Sequence, residues 1–364
     1  MRAPPRAITR SVLLTLVALV PAGGAVTASP VQAPADDGTG LWGVGLGAWP
    51  AEAERRGFAF PPDLEEVRGL GANHVLIPVT LEQESIYASS IGPSATTPTD
   101  QELAALIRSA HRARLRVSLM PLIEVQSGER DHWRGVLVPR DEAAWWASYE
   151  QTVRHYATLA AREDVALFVL GSELTSLSTD RHQKHWHHVA EVARRHFPGP
   201  LAWVSNHDAL DHRGALAAVD VAGVSAYFPL ADDPDAAPPE LAARFQQVLV
   251  RLEAYQREVD QPLVLFEVGF PSVDGAAMAP WDYTTGAPID LEEQRAAYAA
   301  VARGLARAPF IEGALFWGWF GPGGAFDRYY TVRDKPAEAE VRRLLIARRG
   351  LAVATLTPAP APSP

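Results

Sequence analysis

The chain has 364 residues, 48% hydrophobic and 21% charged, with no cysteine and a net charge of −10. This is the profile of a soluble globular protein large enough for a substantial core. It excludes disulfide frameworks and thiolate metal sites, and its negative balance disfavours nucleic acid and anionic membranes, so a neutral substrate fits better.

Residues 1–28 read as an export signal. Arg2, Arg6 and Arg10 precede the apolar run Val12–Val20, and Val26-Thr-Ala28 offers small residues for cleavage. The run is too short to span a bilayer comfortably, so the mature chain is expected to be secreted or periplasmic. Residues 29–40 form a Pro/Ala/Asp linker, and residues 351–364 a Pro/Ala/Thr tail that buries too little to order itself.

Between them, residues 41–350 alternate strand-like and helix-like segments. Eight continuous apolar runs have strand length: Leu41–Leu46, Asn73–Val79, Arg116–Ile123, Ala166–Leu170, Leu201–Ser205, Val221–Tyr227, Pro262–Phe266 and Ala314–Trp319. Runs of this kind suit parallel strands covered on both faces. Thr99-Asp-Gln-Glu102 is a capping box that opens one helix. Asp141–Ala161 carries Trp145, Tyr149, Val153, Tyr156 and Leu159 at helical spacing, and Pro239–Val259 and Asp290–Ala308 repeat the periodicity. Eight strand–helix alternations predict an α/β fold, a single-domain (β/α)8 TIM barrel.

Two strands run into glutamates. Ala166-Leu-Phe-Val-Leu-Gly-Ser ends on Glu173, and Pro262-Leu-Val-Leu-Phe ends on Glu267. In a barrel these tips share one rim, and two carboxylates across a mouth are the minimal equipment for breaking a glycosidic bond. A solvated face does not explain an acid placed directly after four apolar residues. Aromatic residues gather at the same rim: Tyr227 and Phe228 after strand six, Trp281 after strand seven, and Trp317, Trp319 and Phe320 at strand eight. Flat aromatic faces suit the C–H faces of sugars, although alternate members, Trp319 among them, could instead fill the core.

Ser172 reads as a positioning residue, and Asn206, His207 and Asp208 as hydrogen-bonding groups for sugar hydroxyls, with a helix-cap role equally open to Asp208. Trp133 and Arg134 lie on a loop that could reach over the cleft, and Glu82, Glu84 and Glu124 are secondary acids.

Other chemistries are poorly supported. Gly43-Val-Gly45-Leu-Gly47 runs into Trp49-Pro50 instead of opening a helix, unlike a phosphate loop. His182, His185, His187 and His188 fall on a predicted helix without a patterned carboxylate or third ligand, and no G-x-S-x-G elbow occurs. No metal or cofactor is expected. The expected partner is a polysaccharide or oligosaccharide substrate bound by a monomer, and a non-hydrolytic carbohydrate-binding protein on the same barrel is the alternative.

At these positions the chain resembles retaining clan A glycoside hydrolases, most closely glycoside hydrolase family 113, from Trp42 to about Leu345. The resemblance is carried by Gly71-Ala-Asn73, Trp133-Arg-Gly135, Gly171-Ser-Glu-Leu174 and Asp220–Leu230. It continues through Phe266-Glu-Val-Gly-Phe-Pro-Ser272, Ala279-Pro-Trp281, Gln294, Tyr298, Gly313-Ala-Leu-Phe-Trp317 and Lys335-Pro336. It implies a β-1,4-mannanase-like barrel enzyme with Glu173 as acid/base and Glu267 as nucleophile. Tyr227 would then bond the nucleophile, and Trp317 would be a sugar platform. Two positions depart from the pattern: Ser172 stands where the clan has asparagine, and Met120-Pro121-Leu122 stands where the family tends to Lys-Pro-His.

Overall fold

The computed structural model describes residues 40–47, 49–127 and 132–349. The signal, almost all of the linker and the tail lie outside these residues. Eight parallel strands close into a barrel: β1 (Leu41–Leu46), β2 (His74–Gln83), β3 (Arg116–Val125), β4 (Leu167–Ser172), β5 (Leu201–Asn206), β6 (Val221–Ser225), β7 (Leu263–Val268) and β8 (Ile311–Trp319). Each pairs with its sequence neighbours, and β1 pairs with both β2 and β8, which completes the ring. A two-residue strand, Gly92–Pro93, adds an antiparallel pairing to the end of β2.

The helices are α1 (Pro50–Arg56), α2 (Leu64–Gly69), α3 (Asp100–Arg112), α4 (Glu142–Arg162), α5 (Gln183–His196), α6 (Pro238–Val259), α7 (Leu291–Leu305) and α8 (Ala337–Arg348). The expected barrel is present, with one difference in the alternation. Two helices follow β1, and none lies between β5 and β6, where a short 3-10 turn at Leu216–Ala218 makes the link. Asp208 therefore has no helix to cap. His182 sits in a 3-10 turn before α5 instead of on the helix.

The starts of the helices follow local chemistry. Thr99 and Glu102 form the capping box of α3 reciprocally. The Asp141 carboxylate caps α4 by accepting from Ala144 N–H, and Asp290 caps α7 by accepting from Glu292 and Glu293 N–H. The aromatic face expected on α4 is buried. Its Trp145 Nε1 donates to Gln83 Oε1 at 2.9 Å and its Tyr149 hydroxyl donates to Leu170 O at 2.7 Å, so both polar tips are satisfied inside the shell.

Two apolar layers result. Leu41, Leu76, Met120, Leu122, Leu167, Val169, Ala202, Val204, Val221, Val264, Phe266 and Leu315 fill the barrel, with Trp317 packed on top. The opposite strand faces meet the helices in a larger core. Because side chains alternate across a strand, this filling carries the next inward positions to the carboxyl rim. The glycine repeat of β1 belongs to the same geometry. A Cβ on Gly45 would come within 2.7 Å of the Trp317 ring, and one on Gly47 within 2.4 Å of the Phe320 ring. Those glycines make room for aromatic side chains, not for phosphate. No helix among the described residues is long and apolar enough to cross a membrane.

Candidate active site

Glu173 follows the last residue of β4. Its N–H still donates to Val204 O at 2.8 Å, and the backbone then turns with φ +56°. Arg114, Asp164 and Asp260 take similar angles at or just past the ends of α3, α4 and α6, where helices commonly stop. At a strand tip, with a long side chain, that conformation costs about 1 kcal/mol and marks a constrained position. Glu173 is 8% exposed, and its Oε2 accepts from Arg134 Nη1 at 2.9 Å.

Glu267 is the penultimate residue of β7 and 7% exposed. It stands in register with Ser225 of β6, which in turn stands beside Asn206 of β5. Its Oε2 accepts from the Tyr227 hydroxyl at 2.9 Å. Burial and the nearby Glu173 charge push the Glu267 carboxyl up to about 8, against the pull of Arg134 and the Tyr227 hydrogen bond. Burial and the Glu267 charge in turn hold Tyr227 firmly as a phenol.

Arg134, read from the sequence as a substrate-binding residue, has most of its donors committed. Nε bonds Ile123 O at 2.8 Å, Nη2 bonds Glu124 Oε1 at 2.5 Å and Nη1 bonds Glu173. Burial opposes its charge, but Glu124, Glu173 and Glu267 outweigh that effect and raise its pKa. Trp133 is half-buried, with its indole folded over Gly135, where a Cβ would lie 2.3 Å from the ring.

The other expected residues spread around the same mouth. The Ser172 hydroxyl is buried and has no hydrogen-bond partner among the described residues. Asn206 is 8% exposed, and its Oδ1 accepts from His207 N–H and faces His207 Nδ1 at 2.9 Å. Burial pushes the His207 imidazole below its ordinary value. Trp281 is 49% exposed and stacks on His207 with ring centroids 5.5 Å apart. Trp317 is part-exposed over the barrel filling, whereas Trp319 is buried in the outer core. Glu82 is the penultimate residue of β2 and partly exposed, and Glu84 lies exposed just beyond the strand.

Several neighbours were given no role in the sequence reading. Trp49 donates its indole N–H to Thr80 Oγ1 at 2.7 Å and meets the Trp317 ring edge-on. Tyr330 packs on Tyr227 at 5.9 Å and donates to Pro280 O, which fixes the loop just before Trp281. Lys335, fully buried, bonds Ser272 Oγ, Asp327 Oδ1 and Tyr329 O, and so ties the loop after β8 to the loop after β7. A lysine-proline pair near the end of the chain was the only signal for this anchor. Among the described residues, Asp274, Asp290 and Glu293 lie close enough together to hold an ion. Asp290 already caps α7, and Glu293 accepts from Gly275 and Ala277 N–H, which accounts for both. The α5 histidines form no such group among the described residues.

The arrangement pairs a carboxyl group on a guanidinium with a second on a phenol, with aromatic faces and polar side chains nearby. That equipment can protonate one side of a bond and attack the other.

The family model of Glycoside Hydrolase Family 113 matches residues 50–329. Among solved structures, the chain is similar to a GH113 β-mannanase from Alicyclobacillus acidocaldarius, with 25% identity and a TM-score of 0.74 over 85% of this chain and 98% of that one. A GH113 β-1,4-mannanase aligns with 22% identity and a TM-score of 0.72, covering 84% and 98% of the two chains. A β-glucuronidase from Ruminococcus gnavus shares the fold at 14% identity and a TM-score of 0.56, over 86% of this chain and 51% of that one. No curated protein matches.

Proposed function

This chain belongs to glycoside hydrolase family 113, and from that premise we propose that it is an exported β-mannanase that cleaves by double displacement. Its being a glycoside hydrolase follows from the family; the sugar, the stereochemistry, the residue roles and the export are our reading. The observation that carries the mechanism is the unequal environment of two buried carboxyl groups at one rim: Glu173 against Arg134 and Glu267 against Tyr227.

In this reading Glu267 attacks the anomeric carbon as a carboxylate, its charge oriented and stabilised by the Tyr227 hydroxyl. Glu173 gives a proton to the departing oxygen, so the C–O bond breaks as the glycosyl ester forms. Glu173, now a carboxylate, takes a proton from water, which attacks the ester carbon and frees Glu267. Trp317 floors the reacting sugar, Trp281 extends the aromatic surface, and Ser172 and Asn206 meet hydroxyl groups. Export is supported by the basic and apolar pattern of residues 1–28.

The similar solved structures called β-mannanases favour mannan, while Ser172 and Leu122 make the substrate the part most in need of test. Mannan, glucan, xylan and galactan oligomers, with product anomers followed by NMR, report activity, substrate and stereochemistry together. Release of the β-anomer from mannan oligomers is expected; first-formed α-product, or binding without turnover of any substrate, would overturn the mechanism. Glu267→Ala should fold normally and lose roughly a thousandfold or more in turnover, with partial recovery in azide. Near-normal turnover would refute the nucleophile assignment.

A further inference from the structure

Three carboxylates and one guanidinium meet at the mouth. Arg134 bonds Glu173 with one terminal nitrogen and Glu124 with the other, while its Nε is fixed on Ile123 O. The two carboxylates it joins differ in setting: the Glu173 side chain is 10% exposed and that of Glu124 is 45% exposed. Glu124 and the Ile123 carbonyl belong to consecutive residues of β3, so one strand end aims the guanidinium.

The reaction proposed above puts a conflict into this contact. A guanidinium against Glu173 fixes its direction but favours its anion, and the acid step needs the proton there. An unopposed arginine would therefore orient the acid and disarm it.

We propose that Glu124 is a positioning residue for hydrolysis: by occupying the far side of the Arg134 guanidinium and offsetting its charge, it lets Arg134 hold the Glu173 carboxyl in place while leaving it able to carry the proton. The inference rests on the double-displacement reading. After burial, Glu124 is the strongest influence on Arg134, ahead of Glu173. Its charge also reaches Glu267 and opposes its ionisation. The charged and titratable groups facing the pair are Arg134 and Glu124 from β3 and its loop, His207 after β5, and Tyr227 after β6. Tyr330 after β8 faces Glu267 as well, and Tyr283 after β7 faces Glu124 and Arg134. Arg134 and Glu124 form the ion pair that can be broken without removing a reacting carboxyl group.

The test is Glu124→Gln in the full chain, read in two ways. In the pH profile of kcat/KM, both limbs should move to lower pH by about half to one unit, because an anion that opposed ionisation of the pair has gone. In 13C NMR titration of side-chain-labelled glutamate, assigned by difference against Glu173→Gln and Glu267→Gln, the midpoints of the pair should move the same way. Arg134→Met should move both readouts upward. A fall in kcat with limbs and midpoints unmoved would make Glu124 a scaffold residue only, and a rise in KM with unmoved limbs would make it a substrate contact. Either overturns the proposal. Should the wild-type chain hydrolyse nothing, the double-displacement reading fails, and the NMR midpoints still decide whether Glu124 governs the pair.

Discussion

At the scale of single residues, the proton balance of the site depends on a few donors. Tyr227 donates to Glu267 from the turn after β6, and a hydrogen bond to a charged group contributes about 1.5–3 kcal/mol. Tyr227→Phe should therefore lower kcat/KM by roughly tenfold to a hundredfold. The direction in pH follows from the same bond. Tyr227 lowers the Glu267 carboxyl, so its loss raises it, and the acid limb of the profile should move to higher pH. A reduced rate with an unchanged acid limb would show that the phenol only packs. Glu173 and Glu267 were legible because an acid that closes an apolar run is drawn out of water at a cost no packing contact requires. Arg134 was legible as a member of the mouth but not in its role. Its partners Glu124 and Glu173 are 10 and 39 positions away, and nothing in their spacing says which acid an arginine will meet.

At the scale of elements, strand lengths and the faces of the long helices could be read from periodicity, since buried strands and half-buried helices have different repeats. The missing helix between β5 and β6 could not. Residues 207–220 are about as long as a helical connection, yet Thr179 O and Ser178 O lie within 2.8 Å of where a Cβ on Gly214 would stand. The segment is held against the loop after β4 by contacts that only the closed barrel creates. The loops after β7 and β8 are joined in a comparable way by Lys335, which shares a fully buried ion pair with Asp327. Removing one partner of such a pair leaves a buried charge and costs about 3–5 kcal/mol. Lys335→Met should lower the denaturant midpoint accordingly, and adding Asp327→Leu should recover part of the loss. If the single substitution left stability unchanged, the loops would not depend on this anchor.

For the whole molecule, the site and the fold place opposite demands on one carboxyl group. The folded state raises Glu267 to about 8 from an ordinary 4.5, so the folded chain holds a proton there that the unfolded chain has already released. A raised carboxyl group of this kind contributes fully below about pH 4.5, and its contribution is lost as pH rises toward 8. Glu267→Gln should accordingly stabilise the protein at pH 8 by roughly 2–4 kcal/mol and by much less near pH 4.5. Urea denaturation at the two pH values checks this, and an equal effect at both would show that the burial is not felt electrostatically. The backbone turn at Glu173 points the same way. Left to folding alone, that position would drift to glycine, which makes the turn without a side chain to accommodate. A chain that carries an acid there does so against the preference of its own main chain, as a position under constraint does.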